Sequence, residues 1–127
     1  MAEGRRAARR TALVLLYQWD VTGRELASLF EGEIDDYARG VTEAVVRDVA
    51  ELDRRITDAA AESGWTADRL GAVERNILRI AVHELDAGEI PPRVVIDEAV
   101  TLAKQYSTRE AGRLVNGILD RIYREAA

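Results

Sequence analysis

The sequence predicts an all-α protein, and three observations support this fold class. Apolar residues recur every three or four positions along almost the whole chain, which is the spacing of one helix face. No segment shows the strict apolar–polar alternation that is typical of a half-buried strand. The 127 residues are 47% hydrophobic and 32% charged, a composition typical of a globular domain with its own core. We therefore expect one domain over residues 1–127.

The first helix is predicted over residues 5–22. A turn of about 100° per residue brings its apolar residues to one face, which we expect to be core. These residues are Ala8, Ala12, Leu15, Leu16 and Trp19. Gly23 ends this helix, and the RELASLF segment after it predicts a short second helix.

A long helix is predicted next, from Ile34 to about Glu62. Its apolar residues keep the i, i+3, i+4 spacing with one polar exception, Asp48. Ser63 and Gly64 close the helix, because glycine accepts the left-handed conformation that ends many helices.

The segment GWTADRL predicts the start of a new helix. The Thr66 hydroxyl can cap the helix, and Trp65 can pack on Leu70 as a hydrophobic staple. A central helix follows Gly71. Its apolar stripe consists of Val73, Ile77, Ile80, Ala81 and Leu85.

Two more helices complete the prediction. The IPP turn at 90–92 precedes the first of them, because proline is tolerated in a first helical turn. Ser107 and Glu110 have the spacing of a capping box at the start of the last helix. Gly117 interrupts the apolar stripe of that helix, which predicts a close approach of another helix there.

Motifs for catalysis, cofactor binding or membrane insertion are missing from the sequence. No apolar run approaches the roughly 18 residues of a membrane span, and no signal peptide is visible, so we expect a cytoplasmic protein. His83 is the only histidine and there is no cysteine, which leaves too few ligands for a two-histidine or thiolate metal site. Glycine-rich nucleotide motifs and nucleophile elbows are also missing. We expect that the protein is not an enzyme and binds no cofactor or metal.

Basic residues concentrate at both ends of an acidic chain. Four of the 18 basic residues, Arg5, Arg6, Arg9 and Arg10, lie in the first ten positions although the net charge is -5. On a helix they cover an arc of about 140° beside the apolar face, and Tyr17 projects onto the strip of Arg6 and Arg10. Arginine forks match phosphate oxygens, and an aromatic ring can stack on an unpaired base. The combination suits single-stranded RNA, although charge runs can also be solvated helix faces and tyrosine is commonly half-buried core.

The last helix carries a second polar face. It consists of Arg109, Arg113, Asn116, Asp120 and Arg124. The arginines can bind phosphates, and the amide and carboxylate can read base edges. Neither this face nor the N-terminal strip is specific by itself.

Four blocks, in this order and spacing, resemble the NusB family of transcription antitermination factors. They are RRAARRTALVLLYQWD, VERNILRIAVHEL, IPPRVVIDEAVTLAKQYST and LVNGILDRI. The resemblance implies an all-helical fold of about seven helices in two small bundles. It also implies binding of the boxA element of ribosomal RNA leader transcripts, together with NusE, a small-subunit ribosomal protein, in an RNA polymerase antitermination complex. The function that the resemblance implies is binding without catalysis.

The resemblance also assigns functional residues. The RNA surface would comprise Arg5, Arg6, Arg9, Arg10, Tyr17, Tyr106, Glu110, Arg113 and Leu114. The NusE surface would lie on the VERNILRIAVHEL helix and include Glu74, Arg75 and Leu78. The position of Leu114 is often aromatic in the family, so this chain lacks a ring for stacking there.

Two alternatives remain open from the sequence. One is a homodimeric interaction module whose apolar helix faces meet across a two-fold axis. The other is a stand-alone relative of the NusB-like domain of ribosomal RNA methyltransferases. Exclusion from RNA with self-association retained would favour the homodimer.

Overall fold

The computed structural model describes residues 2–64 and 70–126. Within these ranges six α-helices follow one another: α1 (Ala2–Thr22), α2 (Asp36–Arg47), α3 (Val49–Glu62), α4 (Ala72–Ala87), α5 (Pro92–Tyr106) and α6 (Arg109–Ala126). A short 3₁₀ helix, Leu26–Leu29, lies between α1 and α2 where RELASLF predicts one. None of the described residues forms a strand, and the all-α prediction is confirmed. None of the helices in these two ranges is long and apolar enough to span a bilayer.

Helix α4 lies at the centre of the molecule and packs against all five other α-helices. On one side α1 and α2 pack against each other and against α4. On the other side α6 packs against both α3 and α5, and all three pack against α4. Ile77, Leu78, Ile80 and Val82 of α4 are almost completely buried in a core that continues through both groups. The two bundles therefore share one helix and one core.

The prediction of a single long helix over residues 34–62 is wrong, because the chain bends at Asp48. Its backbone leaves the helical region at φ -104° and ψ 15°. Its exposed carboxylate binds the guanidinium of Arg47 at 2.8 Å instead of facing the core. The bend lets α2 pack against α1 while α3 packs against α6, which one straight helix could not do. The polar exception in the apolar stripe marks this bend.

The expected helix ends are present where the structure describes them. Gly23 and Gly64 follow α1 and α3 with φ +71° and +82°, the left-handed conformation that glycine adopts readily. The Asp35 carboxylate caps α2 by accepting the backbone N–H of Tyr37 at 2.8 Å. The predicted Thr66 cap and Trp65–Leu70 staple involve residues outside the described ranges.

The start of α6 differs from the predicted capping box. The Thr108 hydroxyl, not that of Ser107, accepts the backbone N–H of Ala111 at 2.9 Å. Ser107 still closes α5, donating its backbone N–H to Ala103, and its hydroxyl donates to the Glu74 carboxylate. Ser107 therefore joins α4 to the α5–α6 junction, and the cap moves one residue along the chain.

The close approach expected at Gly117 occurs instead at Gly112. Gly117 is exposed, and a Cβ there would meet no atom within 4 Å. A Cβ at the buried Gly112 would lie 2.8 Å from Cγ of Lys104, so the small residue lets α5 and α6 pack closely. The expectation for Gly117 is wrong because that position faces solvent.

Candidate nucleic-acid interface

One side of α1 forms a continuous exposed strip. Arg6 and Arg10 occupy its first half, as the helical projection predicts. Val14, Tyr17 and Val21 occupy its second half and are 54%, 41% and 58% exposed. Sequence reasoning missed the two valines, although their spacing from Tyr17 places them on its face. The strip is thus basic at one end and apolar at the other, and we call it the α1 strip.

The expectation that all four N-terminal arginines lie outside the core is wrong for Arg9. Its side chain is buried, and its Nε donates to both carboxylate oxygens of Glu84 at 2.9 Å. Arg9 precedes the buried Leu13 by four residues and Leu16 by seven, so it lies on their side of α1. Its charge is matched by a buried carboxylate of α4 and does not belong to the exposed strip.

The Arg9–Glu84 pair is extended by Tyr37 of α2. The phenol hydroxyl donates to the same Glu84 carboxylate. Burial, the hydrogen bond and the negative charge of Glu84 together raise the pKa of Tyr37 above its ordinary value, so the phenol remains a neutral donor. The Arg5 guanidinium lies over the Tyr37 ring, 4.8 Å from its centroid. These contacts fix the first turns of α1 on α2 and α4.

A polar groove runs between the first half of α1 and α5. It is lined by Arg6, Arg9, Arg10, Glu98, Thr101, Leu102 and Gln105. Arg6 Nε donates to Oε1 of Glu98 at 2.7 Å across this groove. Sequence reasoning missed Glu98 and Gln105, although their seven-residue spacing places them on one face of α5.

The residues predicted near the last helix lie at the α5–α6 junction. Tyr106, Glu110 and Arg113 are exposed, whereas Leu114 is half-buried and packs against the core. Glu110 and Leu114 share a small hollow with Glu74 of α4. The structure thus brings residues of the predicted RNA surface beside one of the predicted NusE surface.

The predicted partner residues on α4 differ in their surroundings. Leu78 is fully buried, so its assignment to a surface is wrong. Arg75 is partly exposed, and its Nη2 binds the carboxylate of Asp20 at 2.9 Å. Glu74 is half-buried and accepts the hydroxyl of Ser107. Because α4 is the central helix, only the first of its turns reaches this part of the surface.

A charged cluster joins this first turn of α4 to the end of α1. Asp20 accepts from Arg75, Asn76 and Arg79 at 3.0 Å each, and Arg79 also binds Asp53 of α3 at 2.7 Å. Burial opposes ionisation of Asp20, but the hydrogen bonds and positive charges around it hold its pKa below the usual value. Residues 2–64 and 70–126 contain no group of three or more His, Cys, Asp or Glu side chains that could hold a metal ion. These arginine–carboxylate contacts hold the end of α1 against α4.

Comparison with known proteins identifies the family of this chain. The model of the NusB family matches residues 6–124. The transcription antitermination protein NusB of Rubrobacter xylanophilus is 43% identical over 122 residues, which cover 91% of this chain and 86% of the relative.

Two solved structures are similar over nearly their whole length. A crystal structure of the antitermination factors NusB and NusE in complex with double-stranded RNA contains a chain that is 34% identical, with a TM-score of 0.84. The match covers 98% of this chain and 99% of that one. The solution structure of NusB from Aquifex aeolicus is 38% identical, with a TM-score of 0.77, and the match covers 94% of this chain and 87% of that one. This chain therefore belongs to the NusB family.

Proposed function

We propose that this chain is a transcription antitermination factor that binds the boxA element of ribosomal RNA leader transcripts as a heterodimer with NusE. The observation that carries the proposal is the α1 strip, whose basic end suits RNA and whose apolar end suits a protein partner. Membership of the NusB family and the solved NusB–NusE complex with RNA support it. In this function the chain acts by binding within the RNA polymerase antitermination complex and catalyses no reaction.

The basic end of the α1 strip supplies the phosphate contacts. Arg10 is exposed and forms no ion pair with any described residue. Arg6 is also exposed, and its Nη groups remain available because only its Nε is held by Glu98. An arginine fork bound to phosphate forms a charge-assisted hydrogen bond and releases condensed counterions from the RNA.

Arg9 acts as a positioning residue in this proposal. Its guanidinium is held by Glu84 inside the protein, and Arg5 is held over the ring of Tyr37. The first turns of α1 are thereby fixed before RNA arrives. Preorganisation of this kind reduces the entropy lost on binding.

The junction of α5 and α6 supplies a second RNA contact. The exposed ring of Tyr106 suits stacking on an unpaired base, and Arg113 suits a phosphate. Leu114 is half-buried and packs against the core beneath these exposed side chains. The exposed side chains of Arg109 and Arg124 continue the polar face along α6.

The partner surface joins the apolar end of the α1 strip to the first turn of α4. Val14, Tyr17 and Val21 offer exposed apolar area, which is common at protein interfaces. Glu74 and Glu110 line the hollow at the α5–α6 junction and give it acidic character. A basic ribosomal protein such as NusE matches both features, with apolar side chains on α1 and a basic side chain at the hollow. Tyr17 then lies between the RNA and partner surfaces.

Substitution of Arg10 tests the RNA surface. We expect Arg10→Ala to weaken RNA binding and to reduce the slope of log affinity against log salt by about 0.7, the value for one phosphate contact on a single strand. Arg54→Ala is the matched control, since Arg54 is an exposed arginine of α3 that pairs with Glu51. Titrations of boxA RNA at several salt concentrations measure both slopes. An Arg10→Ala slope equal to that of Arg54→Ala would remove Arg10 from the site.

Substitution of Glu74 tests the partner surface. We expect Glu74→Gln to weaken NusE binding about tenfold, because the amide keeps a hydrogen-bond acceptor for Ser107 but loses the charge that attracts a basic partner. Ser107→Ala is the control, since it removes the hydrogen bond and leaves the charge. Calorimetric titration of NusE into each variant gives the affinities. A loss in Ser107→Ala as large as that in Glu74→Gln would show that local structure, not charge, is responsible.

The homodimer remains a second candidate, and the same apolar end of the α1 strip favours it. A second copy of the chain could cover Val14, Tyr17 and Val21 in place of NusE. The two occupants compete for one surface, so addition of NusE should convert a homodimer into heterodimers. Light scattering distinguishes this result from independent binding, in which the dimer would persist.

A further inference from the structure

The groove between α1 and α5 contains a carboxylate, Glu98, beside the arginines that are proposed to bind phosphates. Glu98 is 16% exposed, and its Oε1 accepts from Nε of Arg6, which is 56% exposed. A salt bridge with so exposed a partner adds little to stability. At the same time, a carboxylate repels the phosphates of any polyanion in the groove. A contribution to stability therefore does not explain why a glutamate lies at position 98.

The charges along the groove are unevenly distributed. Arg9 is neutralised by Glu84 and Arg6 is paired with Glu98, which leaves Arg10 as the lining cation without an ion pair among the described residues. A phosphate in the groove is therefore most stable at Arg10. The region around Glu98 repels it.

The α5 side of the groove offers few other groups for recognition. The Thr101 hydroxyl donates to the carbonyl of Asp97 on its own helix at 2.9 Å, so its hydrogen is already used. The side chain of Gln105 is exposed, and Leu102 provides an apolar floor. Oε2 of Glu98 has no hydrogen-bond donor among the residues in the described ranges. Because Glu98 lines the groove, this oxygen offers a free hydrogen-bond acceptor to an unpaired base bound there.

We propose that Glu98 determines base specificity in this groove, which takes one unpaired nucleotide with its phosphate at Arg10 and its base edge at Glu98. The inference rests on the proposed RNA-binding function. An ionised carboxylate only accepts hydrogen bonds, so it favours a base with an exocyclic amino group. Cytosine presents such an amino group where uracil presents a carbonyl oxygen, and the carbonyl would face the carboxylate with lone pairs on both sides. Cytosine is thus accepted at this position and uracil is rejected.

Short oligocytidylate and oligouridylate of equal length test the proposal, because they carry the same charge. We expect the chain to bind oligocytidylate about tenfold more tightly than oligouridylate at neutral pH and fixed salt, the effect of one hydrogen bond to a charged group. The amide in Glu98→Gln presents both an acceptor and a donor. The ratio of the affinities for oligocytidylate and oligouridylate should therefore fall to near unity, and the variant should bind oligouridylate more tightly than the unchanged chain does. Asp97→Asn is the control, since it removes the same charge from the exposed neighbouring residue. It should leave the preference intact.

The outcomes separate this inference from the proposed function. Equal affinity of the unchanged chain for the two oligonucleotides, or a preference that Glu98→Gln leaves unchanged, would overturn the role of Glu98. Arg10→Ala should weaken binding of both oligonucleotides by the same factor. If it does so while the preference proves independent of Glu98, the RNA surface stands and only the inference fails. If neither oligonucleotide binds, the RNA surface and the inference fail together.

Discussion

Glu84→Ala is expected to lower the free energy of unfolding by about 3 to 5 kcal/mol, the usual effect of removing one partner of a buried ion pair. Both side chains of the Arg9–Glu84 pair are buried, and the alanine variant would leave the guanidinium of Arg9 without a counter-charge. The Tyr37 hydroxyl would lose its acceptor at the same time. Urea denaturation followed by circular dichroism measures the change. Asp86→Ala is the control on the same helix, since its pair with Arg55 is exposed and contributes at most about 1 kcal/mol.

A double substitution distinguishes loss of charge balance from loss of packing. In Arg9→Met with Glu84→Leu, both charges are replaced by apolar groups of similar volume, and most of the stability should return. The folded double variant then tests the positioning role of Arg9. If Arg9 makes no phosphate contact, the slope of log RNA affinity against log salt should be the same for the double variant and the unchanged chain. A slope lower by about 0.7 would place Arg9 on the RNA after all. A loss below about 1 kcal/mol in Glu84→Ala would contradict the buried pair itself.

Leu78→Ala is expected to lower the free energy of unfolding by about 2 to 5 kcal/mol, because it opens a cavity in the centre of the core. Leu78 is fully buried on α4, the helix that both bundles share. Val21→Ala is the control on an exposed apolar residue, where we expect a change within about 0.5 kcal/mol. Denaturant titrations measure both. A stable Leu78→Ala variant that loses only NusE binding would restore Leu78 to the partner surface.

Helical periodicity predicts most of the fold because it depends on residues close in sequence. It identifies α1, α4, α5 and α6 from apolar stripes, and glycines mark the ends of α1 and α3. It fails at Asp48, where the bend depends on α2 and α3 packing against different helices. The stripe continues through the bend, so only the single aspartate distinguishes two helices from one.

The functional surface is predicted less completely, because its key contacts join residues far apart in the sequence. The helical projection correctly groups Arg6, Arg10 and Tyr17 on one face of α1. The projection also places Arg9 beside the buried leucines. The pairing of Arg9 with Glu84 cannot be predicted from neighbouring residues, because the two lie 75 positions apart. The position of Glu98 opposite Arg6 likewise depends on how α5 packs near α1.

The assignment of Leu78 shows a related difficulty. A family resemblance indicates which helix contributes to an interface, but burial on that helix depends on the neighbours that surround it. In this chain α4 has neighbours on nearly every side, so Leu78 in its middle is buried, whereas side chains near its start such as Glu74 and Arg75 reach the surface.

One titration tests most directly whether this chain and NusE together recognise boxA RNA. Labelled single-stranded boxA RNA and a scrambled RNA of the same composition are titrated with the chain at fixed salt, with and without NusE. Fixed salt is essential because counterion release alone changes affinity by orders of magnitude. We expect the heterodimer to bind boxA RNA more tightly than the scrambled RNA, with a specificity that substitution of Arg10 or Glu74 reduces. Equal affinity of the heterodimer for the two RNAs would contradict the account.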